Sequence, residues 1–116
     1  MARMKTMAAV VASLGKFINC TCLTNNGRAV ANQFVISYNG GQVFKSYNTI
    51  IAVRTNKGQI FLVRPENTIG GRDLELGGRN GGYSSTTQKY CCMFLGIHGK
   101  ADMLKKMESG EYQVVE

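Results

Sequence analysis

Alternation of apolar and polar positions is the dominant pattern in this chain, and it is concentrated between residues 17 and 64. In residues 17–23 (FINCTCL), Ile18, Cys20 and Cys22 fall on one side and Phe17, Asn19, Thr21 and Leu23 on the other. That is the period of a β-strand, and the first set has the composition of a core-facing side. Residues 32–64 then predict a three-stranded antiparallel meander. Phe34, Ile36 and Tyr38 alternate with Val35 and Ser37, Asn39-Gly40 offers the left-handed conformations of a hairpin turn, and residues 43–53 run back. Asn56-Lys57-Gly58 turns the chain into residues 59–64, and Pro65, the single proline, closes that strand because it has no amide proton to pair. With residues 17–23 this makes an antiparallel sheet of about four strands.

Helical spacing appears on both sides of the sheet. Met4, Met7, Val11 and Leu14 recur at helical intervals in an Ala-rich stretch that Gly15 ends. Beyond the sheet, Ser85 followed by Gln88 fits a capping box, and Tyr90, Cys91, Phe94 and Leu95 share one face of the helix it opens. Gly96 and Gly99 bracket a break. Residues 100–109 form a last helix buried through Met103, Leu104 and Met107 and stopped by Gly110. Residues 112–115 end as a loose tail or an additional edge strand. Residues 66–82 carry six glycines with Arg72 and Arg79, and a short hairpin around 73–76 would interrupt this loop. Loops of such length in a small domain go with function or disorder. The expectation is one α+β domain over 1–116, its sheet packed by a C-terminal helix pair and a short N-terminal helix; 116 residues support one core and not two.

Charge changes the picture more than composition does. The formal net charge is +7, and all seven acids lie beyond residue 65. Arg3, Lys5, Lys16, Arg28, Lys45, Arg54, Lys57 and Arg64 therefore stand without a carboxylate in the first part of the chain. Clustered bases gain affinity by displacing counterions from phosphates, so the distribution points to a polyanion, with nucleic acid first. An acidic host protein would answer the same field. Residues 1–15 hold only a short apolar run, too short to span a bilayer and without the cleavage pattern of a secretory signal. Cys20/Cys22 and Cys91/Cys92 are too close within each pair for a good disulfide, which leaves bridges between the pairs or, as expected in a reducing compartment, free and mostly buried thiols.

Few residues suggest chemistry. Residues 77–90 (GGRNGGYSSTTQKY) join a glycine-rich backbone, Arg79 and a hydroxyl-rich helix start, an arrangement able to receive an anion. It lacks the Gly-Lys-Ser/Thr ending of a phosphate-binding loop. On the sheet, Tyr38, Phe44, Tyr47, Lys45, Arg54 and Arg64 mix rings with cations, and strand alternation makes Lys45 and Tyr47 the better exposed pair. The four cysteines and His98 lack zinc-module spacing, so neither a metal nor a cofactor is expected. His98, the single histidine, has no acid near it in sequence, and catalysis is not expected.

Phe44-Lys45-Ser46-Tyr47 with Ile51-Ala52, then Tyr83-Ser84-Ser85-Thr86-Thr87-Gln88-Lys89-Tyr90 and Phe94-Leu95, resemble a family of small uncharacterised proteins of tailed bacteriophages over about residues 31–110. The chain departs from that pattern at Gly81-Gly82, where a Trp-Asp often stands. The resemblance implies a phage origin and action in the cytoplasm of an infected bacterium, and implies no activity. These readings converge on a basic accessory protein that binds nucleic acid or a phosphate-bearing ligand without catalysis. Arg28, Lys45, Arg54, Lys57, Arg64, Arg72, Arg79 and Lys89 would contact phosphate and Tyr47 would offer a stacking surface. The rivals are an inhibitor of a host enzyme or defence complex and a sponge for a nucleotide signal. The free edges of a small sheet and six methionines leave room for a homodimer.

Overall fold

The computed structural model describes residues 6–71 and 82–116, and in it a six-stranded sheet carries one helix on one face and two on the other. The strands β1 (Phe17–Asn25), β2 (Arg28–Tyr38), β3 (Gly41–Ser46), β4 (Thr49–Thr55), β5 (Ile60–Val63) and β6 (Tyr112–Val115) lie side by side in chain order. The first five form an antiparallel meander, whereas β6 runs parallel to β5, with Ile60 opposite Tyr112 and Val63 opposite Val115. A parallel neighbour requires a crossover. Here it contains α2 (Ser85–Leu95) and α3 (Lys100–Glu108), while α1 (Met7–Ala12) precedes the sheet.

The α+β class matches the sequence pattern, but the strands number six and not four. One extra strand arises where residues 43–53 were expected to run straight. Ser46 pairs with Thr49 across a two-residue turn, and Tyr47 takes φ 54 there while its N–H donates to the Asn32 carbonyl at 2.6 Å. Folding back at Tyr47 sets Val43 against Val53 and Phe44 against Ala52, and all four become fully buried. The other is β6, where residues 112–115 form the edge strand that was the alternative to a loose tail: the Arg64 N–H donates to the Val115 carbonyl at 2.7 Å and the Met7 N–H to the Glu116 carbonyl at 2.6 Å.

Register assigns the two faces, because residues paired across a sheet point to the same side. Gln42, Phe44, Arg54, Ala52 and Leu62 share one face, and α2 covers it: Phe94 stacks on Phe44 with ring centroids 5.7 Å apart. Val43, Val53 and Phe61 share the other face and are buried under α1, whose Met7 and Val10, with Leu14 just beyond the helix, are buried too. Burying each such side chain stabilises by about 1.5–3 kcal/mol.

The turns differ in their use of glycine. Between β1 and β2, Asn26 (φ 53) and Gly27 (φ 79) make the two-residue turn with both central residues left-handed. Asn39-Gly40 was expected to do the same, yet neither residue has positive φ. That turn is set by α1: the Gly40 N–H donates to the Leu14 carbonyl at 2.8 Å, and a Cβ on Gly40 would press on the Leu14 backbone. Helix starts differ as well. Thr6 caps α1 by accepting from the Ala9 N–H at 3.2 Å, but the expected capping box at Ser85 is absent. Ser85 is already helical, Ser84 makes no side-chain cap bond, and the Gln88 amide reaches Cys92 Sγ and Met103 Sδ. Gln88 is drawn toward α3 and not back over the first turn. The hairpin expected around 73–76 lies outside the described residues.

Candidate functional site

The helices lie over β3–β6 and leave the α1-side face of β1 and β2 open, and on the other side of β1 Asn19 and Thr21 are exposed as well. Phe17 pairs with Tyr38, Cys20 with Ile36 and Cys22 with Phe34, and the last row continues through Lys45 of β3 to Ile50 of β4. All of these point to the α1 side of the sheet by alternation, yet α1 contacts β4 and β5. Phe17 is consequently 56% exposed and Cys20 and Cys22 are exposed, which corrects the expectation that the Ile18/Cys20/Cys22 side faces the core with buried thiols. Ile18, at a shift in register, is 56% exposed. Phe34, Ile36, Tyr38 and Lys45 are half-buried. Phe17 and Tyr38 meet edge to face at 6.0 Å, which holds one ring against the other.

The strands of this face carry bases and no acid. Strands β1 to β5 contain no Asp or Glu. At one end stand Lys16, whose carbonyl accepts the Asn39 N–H at 2.9 Å, and exposed Lys57 in the β4–β5 turn. Asn56 ties that turn to the β2–β3 turn through bonds to the Gly40 and Asn39 carbonyls. At the other end are Lys45 and Tyr47. The Tyr47 side chain is 55% exposed although its backbone is left-handed, a conformation unusual for a bulky residue. Arg28 is exposed at the tip of the β1–β2 hairpin.

The sequence-derived set is therefore divided. Lys45, Tyr47, Lys57 and Arg28 border the open face. Arg54 points to the opposite face and is engaged in the fold: Nη1 donates to the Phe94 carbonyl at 2.8 Å, Nη2 to Gln42 Oε1 at 2.9 Å, and the guanidinium lies 4.7 Å from the Phe94 ring centroid. It thus stabilises the last turn of α2, where carbonyls lack helical partners. Arg64 sits 3.7 Å from Glu66, and Lys89 lies on α2 over Tyr90. Arg72 and Arg79 lie outside the described residues. Sequence reasoning missed Lys16, Phe17 and Phe34. Alternation places Phe17 with Asn19 and Thr21, but the shift in register between Phe17 and Asn19 turns it to the side of Cys20 and Cys22, and neither that shift nor the reach of the helices is written in the sequence.

The interior shows folding chemistry. Tyr83 donates its hydroxyl to the Val63 carbonyl at 2.7 Å, and burial, followed by the nearby Cys91 and Glu66, raises its pKa well above the usual tyrosine value. Burial, with Cys92 beside it, raises the Cys91 thiol likewise. Ser46 and Thr87 hydroxyls bond at 3.1 Å between β3 and α2. His98 is exposed in the α2–α3 turn. Among the described residues no His, Cys, Asp and Glu side chains gather in a group able to hold a metal ion, and no helix is long and apolar enough to cross a membrane.

A profile described as a family of unknown function, DUF8033, matches residues 18–111, which takes in both C-terminal helices and, but for Phe17, the five-stranded meander, and stops before β6. No curated protein and no solved structure matches.

Proposed function

The chain belongs to the DUF8033 family, and we propose that this member binds single-stranded nucleic acid on the open face of β1–β3, without catalysis. The observation that carries the reading is a row of rings and a cation on the open side of strands that contain no carboxylate: exposed Phe17 against half-buried Tyr38 at one end, half-buried Phe34 beside half-buried Lys45 at the other. Bases stack on aromatic side chains at about 1–3 kcal/mol each, and cations follow the backbone. Duplex presents no free base faces, so the same surface favours single strands. Lys16, Lys45, Lys57 and Arg28 contact phosphate, and Tyr47 adds a ring at the corner. Such a protein suits the phage setting that the sequence resemblance implies. The inhibitor reading draws on exposed Phe17 and Ile18, which also suit a protein partner.

The test is fluorescence anisotropy of the nuclease-treated protein with labelled single-stranded DNA, single-stranded RNA and duplex at two salt concentrations. Single strands should bind best and lose affinity steeply with salt. Phe17→Ala should weaken binding at either salt, whereas Lys45→Gln should reduce the slope of log affinity against log salt by about 0.7. Absence of binding at low salt would overturn the reading, as would binding indifferent to both substitutions.

A further inference from the structure

The two edges of the sheet are built differently. β6 is four residues long and bracketed by Glu111 and Glu116, the short, charged kind of edge that resists pairing. β1 is nine residues long, and residues 17–27 contain neither charge nor proline. Among the described residues nothing pairs with its outer side, since β1 ends the strand order. Its burial pattern leaves every residue from Phe17 to Cys22 exposed. Between register shifts at Phe17/Asn19 and Cys22/Thr24, the segment from Asn19 to Cys22 keeps regular pairing with β2 and presents a regular free edge. An unpaired, uncharged edge of this kind is a template for another strand.

We infer that the outer edge of β1 docks the β1 of a second copy of this chain, antiparallel about Thr21. Charge selects this occupant and place. Two copies at +7 repel wherever bases meet, and β1 is the stretch where they approach without any. The sequence is self-complementary there: Thr21 falls opposite itself, a favourable cross-strand pair, and Cys20 falls opposite the partner's Cys22. With the two-fold axis perpendicular to the sheet, side chains opposite each other point to the same side. The meanders then join into one sheet, and the two open faces form a single surface on one side of it. The dimer stands whatever that surface binds, and its test uses no nucleic acid, so its failure is separate from that of the binding proposal.

Sedimentation velocity of the full chain in reducing buffer, over a range of concentrations, should show a monomer–dimer equilibrium. Thr21→Lys places like charges directly opposite each other and should weaken dimerisation about tenfold or more. Because the Thr21 side chain is exposed, the variant should keep the wild-type circular dichroism spectrum. Incubation with oxidised glutathione supplies a second readout. The thiols of Cys20 and the partner's Cys22 give up two protons and two electrons as their S–S bond forms, and oxidised glutathione takes them up to become two glutathione thiols. The linked dimer should form in the wild type and be lost in both Cys20→Ser and Cys22→Ser. A monomer at every concentration overturns the inference. So does a dimer unchanged by Thr21→Lys, or a link that survives either serine substitution.

Discussion

Arg54 and Tyr47 show how side chains of similar promise separate once their surroundings are known. Arg54 gives two hydrogen bonds and a stacking contact to the junction of β4 and α2, so its cation serves the fold. Arg54→Ala should cost about 2 kcal/mol in urea unfolding, through the uncapped Phe94 carbonyl and the lost stacking, and leave the salt dependence of nucleic-acid binding unchanged. Tyr47 is the converse. Its ring is exposed, while its backbone pays for a left-handed turn that glycine adopts without strain. Tyr47→Gly should leave stability equal or raise it by about 0.5 kcal/mol, and should weaken binding of single strands. Unfolding and anisotropy measured on the same preparation separate these effects.

Among the elements, β3 and β4 form the centre, and their close approach is set by Gly41. A Cβ there would run into the Arg54 carbonyl and crowd Thr55, both backbone groups of the neighbouring strand. Gly41→Ala should therefore push β4 away and destabilise by about 1–3 kcal/mol, visible as a lower urea midpoint with an unchanged slope. The exposed glycine at the end of α2 has a different role. Gly96 takes φ 72 and its N–H closes on the Met93 carbonyl, with open space around it, so its requirement is conformational and not steric. β1 and β2 carry the opposite balance from β3 and β4: they are long, and in them only Leu23 and Gln33 are buried.

Across the whole molecule, the titration of buried groups sets the alkaline limit of stability. Tyr83 and Cys91 both have pKa values raised by burial, so the folded state holds their protons more tightly than the unfolded chain does. Their contribution is complete below the unfolded values, about 8.5 for cysteine and about 10 for tyrosine, and is lost as the pH rises toward the folded ones. Unfolding free energy should hold from pH 7 to about 8.5 and then fall toward pH 11. Tyr83→Phe should cost about 1 kcal/mol at pH 7, from the hydrogen bond to Val63, and make the upper part of that fall shallower. Urea unfolding of both proteins at a series of pH values checks the sign.

Local chemistry made much of this legible in advance. Alternation at 34–38, the stop at Pro65 and the helical spacing around Phe94 each depend on neighbours in sequence, and so did the α+β class and the lopsided charge. The break at Tyr47 was not legible, because a tyrosine does not announce a left-handed turn; Asn32, from another strand, accepts the hydrogen bond that holds it. Nor was the difference between a covered and an open apolar face. Val43 and Phe34 look alike along the chain, but α1 rests on β4 and β5 and leaves β2 uncovered, so one is core and the other borders solvent. Periodicity states which residues share a side of a strand. What lies against that side is a matter of helix length and placement, and that is decided only when the elements pack.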